Sequence, residues 1–334
     1  MDYYKLLKLN NIIKNPRIKL LGLYFLHKLN KRYISVYFDP VNACNLRCKM
    51  CYFTDSDYVK KLKGVFDVNE IPLFSKAILK RALKLQIGCG TEPTLYKNVT
   101  AIILEAKKEG VPNISMTTNA NLLVKNTTQE WIEAGLNEIT ISLHGVNKDS
   151  YENFMDKGNF EVFMNSLTLL TKLKKEFPNF KIRVNYTFNE DNFEELKYFW
   201  KAFNNQTIDI LQIRPINKIG NTTYSNFSLE KVLPYYQEIK EGLAMECKKR
   251  NTTFIAPNLN QLTNRTSENS ILSKFIYCYI SPTSFWHKDF EWKNETYDQY
   301  AKRTKISLDI LKTAMLSKHK MNLLKNKTLN YEIN

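Results

Sequence analysis

From Tyr33 onward, short β-branched or aromatic runs alternate with longer stretches of helical periodicity. A chain patterned this way sandwiches its strands between helices, which restricts it to a parallel α/β architecture. Strands are predicted at 33–39, 85–90, 113–118, 138–143, 181–188 and 209–214, and helices at 70–84, 97–109, 128–134, 160–177 and 193–203. The pattern fits an open doubly wound sheet or a partial barrel. Either one gathers ligands at the C-terminal ends of its strands.

After Gly220 the pattern changes to long helical stretches at 229–249 and 304–324, which flank an irregular aromatic segment at 275–300. We read a core at 33–220 and a mostly helical C-terminal appendage at 221–334. Residues 1–32 form a basic, amphipathic extension predicted to be helical, with Leu6, Leu7, Ile12, Ile13, Ile18, Leu21 and Phe25 as its apolar positions. Such a helix packs on its own core, lies on a membrane surface or binds a partner. The apolar run at 20–26 is far shorter than the ~18 to 20 residues needed to span a bilayer, so no transmembrane helix is expected. Basic residues run through 1–30 and no small-residue cleavage site follows, so the chain is read as cytoplasmic.

In a reducing compartment, closely spaced cysteines point to metal or catalysis rather than to disulfides. Three of the six cysteines, Cys44, Cys48 and Cys51, fall in one short loop after the first predicted strand. Zinc would need a fourth ligand. None of His27, His144, His287 and His319 is paired with another ligand, and Cys89, Cys247 and Cys278 are dispersed. Three thiolates without a fourth suit a 4Fe-4S cubane with one iron left open.

The spacing Cys-x3-Cys-x2-Cys after a first strand resembles the signature of the radical S-adenosylmethionine (radical SAM) superfamily. Met50 stands before the third cysteine, where that family commonly has an aromatic residue. A second segment, Gly88-Cys89-Gly90-Thr91-Glu92-Pro93, resembles the family's Gly-Gly-Glu-Pro turn, with Thr91 in the second-glycine position. The resemblance implies a partial (β/α)6 TIM-like barrel, a 4Fe-4S cluster on Cys44, Cys48 and Cys51, and S-adenosyl-L-methionine as cofactor. It places the cofactor against Gly88, Gly90, Thr91, Glu92, Asn119, Ser142, Asn185 and Ile213. His144 is the candidate catalytic residue, since a histidine at the active face can transfer a proton near neutrality.

The implied reaction is reductive cleavage of the cofactor, with the 5′-deoxyadenosyl radical abstracting hydrogen from a peptide, a carbohydrate or another small metabolite. A reduced flavodoxin or ferredoxin is the implied electron donor. The C-terminal part resembles the SPASM/twitch branch in position but lacks its Cys-x2-Cys pairs, so no auxiliary cluster is expected. An iron–sulfur electron-transfer or redox-sensing protein is the alternative reading, and a methionine-binding turn counts against it. The net charge of +16 raises a nucleic-acid-modifying enzyme as a further alternative. Much of that charge lies in residues 1–32, where eight Lys and Arg face only Asp2, and in the 302–327 tail. A nucleic-acid partner is therefore not expected.

Overall fold

The computed structural model describes residues 12–263, 271–287 and 289–323. Among these, nine strands form one sheet in the order β11-β10-β1-β3-β4-β5-β7-β8-β9. Its centre is the expected six-stranded partial barrel: β1 (Ile34–Phe38), β3 (Ala82–Ile87), β4 (Ile114–Thr118), β5 (Glu138–Leu143), β7 (Lys181–Phe188) and β8 (Ile210–Pro215). Every neighbouring pair in that set is parallel. A separate short ladder joins β2 (Arg47–Cys48) to β6 (Met155–Asp156) in antiparallel register.

Helices cover the convex side because their apolar residues recur every three or four positions. Val99, Ile102, Ile103 and Ala106 are buried on the helix Val99–Lys108, as are Phe163, Leu167, Leu170 and Leu173 on Phe160–Glu176. Asn159 caps the latter helix by accepting from the Val162 amide at 2.9 Å.

Three predicted elements differ from the structure. The predicted helix at 70–84 stops at Ile78, and β3 begins at Ala82 after a 3-10 turn. Residues 82–87 bury Leu83 and Leu85 on one side and turn Lys84 and Gln86 to the other, and pairing with β1 outweighs their helical propensity. The helix at 193–203 is a 3-10 turn, Glu194–Tyr198, followed by the single α-turn Phe199–Ala202. The region beyond Gly220 contributes strands as well as helices. β10 (Tyr277–Ser281) runs parallel to β1 and carries the antiparallel β11 (Ser284–Phe285), while β9 (Thr253–Ile255) extends the other edge beside β8. Residues on both sides of 220 thus share one sheet.

Of the predicted N-terminal helix, Pro16–Lys28 is helical, capped by Asn15, with Leu20 and Leu23 buried, while Leu6 and Leu7 lie outside the described residues. The helix at 304–324 is present as Ile306–Met315 and Lys318–Leu323. The Arg17 guanidinium donates to the Leu316 carbonyl at 3.1 Å, tying the two ends of the described chain together. No helix among the described residues is long and apolar enough to cross a membrane.

Candidate functional site

The loop after β1 carries the three clustered cysteines and is held from three directions. Arg47 turns back on it, donating from Nη1 to the Cys44 and Leu46 carbonyls, both at 2.8 Å. The β2–β6 ladder sets Cys48 opposite Met155. From the C-terminal end of β8, the Ile219 amide donates to the Met50 carbonyl at 3.1 Å and the Thr222 hydroxyl to the Lys49 carbonyl at 2.5 Å. Gly220 permits this approach. Its φ is +64°, and a Cβ there would stand 2.8 Å from the Tyr52 Cβ.

Burial pushes the Cys44 thiol up to about 12 and the Cys48 and Cys51 thiols upward as well, and Cys51 adds to the shifts of both other thiols. The three groups therefore sense one another's charge. Among the described residues, no three Cys, His, Asp or Glu side chains close on a single-ion site.

The turn after β3 is built around two buried carboxylates. Asp39 accepts from the Cys89 amide at 2.7 Å, the Gly90 amide at 3.0 Å and the Tyr279 hydroxyl at 2.9 Å. Glu92 accepts from the hydroxyls of Thr94 at 2.6 Å and Thr118 at 2.7 Å, and from the Asn119 amide at 2.8 Å. Two further contacts fasten the turn to the cysteine loop. The Tyr52 hydroxyl donates to the Gly90 carbonyl at 2.6 Å, and the Asn119 amide group to Asn45 Oδ1 at 2.8 Å.

Gly88 has φ +79°, and a Cβ there would fall 2.5 Å from the Thr117 carbonyl oxygen and 2.6 Å from Pro93 Cγ. Gly88→Ala is expected to cost about 2 kcal/mol in left-handed strain and displaced backbone. A thermal midpoint equal to wild type would show that the turn yields without cost.

Inside the curved sheet lies a cavity of about 290 Å³. Side chains alternate across a strand, and one face of each central strand lines it: Tyr37 on β1, Lys84 and Gln86 on β3, Thr117 on β4, Thr140 and Ser142 on β5, Arg183 and Asn185 on β7, and Gln212 and Arg214 on β8. Glu138 and Cys89 complete the wall near Lys84, and Met50 reaches in from the cysteine loop. Glu138 pairs with Arg183 at 2.9 Å. Lys84 donates to Gln86 Oε1 at 2.9 Å, and burial lowers its ammonium to about 8. The walls therefore carry Lys84, Arg183 and Arg214 against the single carboxylate Glu138.

Ser142 and Asn185 are register partners that face this cavity. Asn185 Oδ1 is buried and has no hydrogen-bond partner. Gly88, Gly90, Thr91 and Glu92 share the turn, with Glu92 turned inward to hold it, and Asn119 bridges turn and loop. Two predicted residues stand elsewhere. Ile213 is buried in the hydrophobic core on the opposite face from Gln212 and Arg214, so the strand's phase removes it from the cavity. His144 is buried and does not line the cavity; it stacks on Phe154 at 5.0 Å, and burial together with Arg214 lowers its imidazole to about 3. A ring held neutral in this way is unsuited to proton transfer near pH 7.

The residues that sequence reasoning missed are Asp39, Tyr52, Lys84, Gln86, Gln212 and Arg214. Period-two polar positions inside otherwise apolar strands, such as 84 and 86 or 212 and 214, were the available signal.

The family model of the radical SAM superfamily matches residues 39–198, from Asp39 through the turn after β7. Residues 39–198 thus match the radical SAM domain, and the chain is similar to that superfamily across this stretch. A probable GTP 3′,8-cyclase of Metallosphaera sedula is 29% identical over 188 residues, covering 55% of this chain and 56% of the relative. One from Methanocaldococcus jannaschii is 27% identical over 219 residues, covering 64% and 68%. The match thus spans little more than half the length of the Metallosphaera protein. Among solved structures, Streptococcus suis SuiB bound to S-adenosylmethionine superposes with a TM-score of 0.62 at 15% identity, covering 92% of this chain and 78% of that one. Native anSMEcpe with bound AdoMet gives 0.58 at 15% identity, covering 90% and 92%. These two share the fold.

Radical SAM enzymes use a 4Fe-4S cluster and S-adenosylmethionine. The residues present fit both groups. Three thiols in one loop, each within reach of the others' charge, can hold a cluster, and a buried amide oxygen without a partner on the cavity wall can accept from a polar cofactor.

Proposed function

We propose that this radical SAM enzyme holds its cluster on Cys44, Cys48 and Cys51, seats S-adenosylmethionine between the 88–93 turn and the Ser142–Asn185 pair, and acts on an anionic, polar small molecule. When bound, the cluster and cofactor supply one-electron cleavage of a carbon–sulfur bond and a carbon radical that takes hydrogen from an unactivated C–H bond. The chain's own residues place that hydrogen. Asp39 and Glu92 fix the turn, Asn185 Oδ1 and the Ser142 hydroxyl offer partners to a cofactor hydroxyl, and the sheet excludes water.

The observation that carries the substrate class is the cavity's charge, with three cations against one carboxylate. The relatives named GTP 3′,8-cyclase act by name on GTP, which puts phosphorylated nucleosides first among the anions to test. The two cysteines of the C-terminal part are held apart. Cys278 is buried on β10 at one edge of the sheet, and Cys247 on the helix beside β9 at the other. Chemistry that needs a second cluster built on that pair is not part of this reading. An acidic flavodoxin or ferredoxin matches the basic surface as electron donor.

The test is an anaerobic screen for compounds that stimulate 5′-deoxyadenosine release from reconstituted enzyme supplied with dithionite and cofactor. Phosphorylated nucleosides, sugar phosphates and carboxylates are compared with neutral sugars and amides. An anion is expected to stimulate, and stimulation by neutral compounds alone would overturn the reading. Lys84 is charged below about pH 8 and neutral above it, so the apparent affinity for the anion should fall as pH rises through 8. Lys84→Met should weaken binding and flatten that pH dependence.

A further inference from the structure

The helix Pro16–Lys28 is apolar on two opposite sides. Leu20 and Leu23 are buried and half-buried His27 continues their line, a stripe facing the body of the protein beside the helix Ile306–Met315. Ile18, Leu21, Phe25 and Leu29 recur at spacings of three and four and are 54%, 43%, 59% and 64% exposed. At about 100° per residue, this second stripe lies opposite the first. A surface helix ordinarily presents polar residues there. Leu308 and Met315, exposed on the neighbouring helix, add to the apolar surface beside it.

The charges on this helix and the residues flanking it are of one sign. The helix contains no Asp or Glu, and exposed Lys14, Arg17, Lys28 and Lys31 together with half-buried Lys19 surround the apolar line. A second copy of this chain docking face to face would set these cations against their own counterparts. A surface that combines acyl chains with negative headgroups answers both the apolar line and its cationic border.

We infer that the outward face of Pro16–Lys28 docks the enzyme peripherally on an anionic lipid surface. The helix lies in the plane of the interface, with Phe25 and its aliphatic neighbours entering the headgroup boundary and the lysines and arginine meeting phosphates. From Ile18 to Leu29 the stripe is about 16 Å long at 1.5 Å per residue. Its inner face stays on the protein core, so docking asks for no unfolding.

The test is sedimentation of the purified, cluster-loaded full chain with vesicles of phosphatidylcholine alone or mixed with phosphatidylglycerol, at low and high salt. The chain should sediment with the phosphatidylglycerol vesicles at low salt and bind phosphatidylcholine at least about tenfold more weakly, with high salt releasing it. Leu21→Glu combined with Phe25→Glu should lower binding to phosphatidylglycerol vesicles at least about tenfold while thermal midpoint and reductive cofactor cleavage stay at wild-type values. Three results would each overturn the inference: no sedimentation with anionic vesicles, binding that the double variant leaves unchanged, or equal binding to both lipids. A wild-type dimer that dissociates in the double variant, without vesicle binding, would assign the face to a second copy instead.

Discussion

Replacing Cys48 by alanine is expected to abolish reductive cleavage of S-adenosylmethionine, with 5′-deoxyadenosine falling to the level of a no-enzyme control. Cys48 is half-buried, sits opposite Met155 in the β2–β6 ladder, and is flanked by the other two thiols of the loop. Two cysteines cannot replace three at a cluster whose fourth position must stay open for the cofactor. Iron content after anaerobic reconstitution should fall together with activity. The side chain removed is small, so the fold should survive, which a retained thermal midpoint of the apo-protein would show. Full iron loading and undiminished 5′-deoxyadenosine in the variant would remove Cys48 from the ligand set. Cys247→Ala serves as the contrasting control, because that thiol is buried on the helix Tyr236–Lys249 away from the loop and its loss should leave cleavage intact.

Glu92→Ala should cost both stability and cofactor binding. The carboxylate accepts from the Thr94 and Thr118 hydroxyls and the Asn119 amide in a fully buried position. Removing it strands these three donors and the Thr94 amide, which also donates to it at 3.2 Å, each worth about 1 kcal/mol when left unmade in the interior. A loss of about 3 kcal/mol is expected, and a midpoint lowered by roughly 5 °C or more in a chain of this size. The turn that Glu92 anchors also carries Gly88 and Gly90, so affinity for S-adenosylmethionine should drop even where the protein remains folded. Scanning fluorimetry with and without the cofactor separates the two effects. A variant of wild-type stability that binds the cofactor normally would show that Asp39 alone holds the turn.

The legible part of the site was its linear part. Cys44, Cys48 and Cys51 lie within one loop, and the 88–93 turn within six residues, so their spacing can be read without a fold. Strand positions were legible as well, because period-two burial leaves a pattern in each strand separately. Facing direction was not. Ile213 and Gln212 differ by one position, and only the register of β8 against β7 decides that the glutamine enters the cavity. His144 follows the last residue of β5, and its stacking partner Phe154 comes from another element.

The C-terminal part was obscure for a related reason. β10 is short and aromatic, with no periodicity of its own to distinguish it from irregular chain, and becomes a strand because the edge of β1 offers it backbone partners. Its Tyr279 hydroxyl then reaches Asp39, two hundred and forty residues earlier in the chain.

Thiol spacing and strand–helix alternation already carried the α/β class, the radical SAM resemblance and the position of the cysteine loop, because both are local and survive without tertiary contacts. The tertiary structure alone decided the cavity's cationic character, the burial of His144 and the outward apolar stripe of the first described helix. Each of these depends on which side of an element faces which neighbour, and that choice is made by packing between segments far apart in the chain.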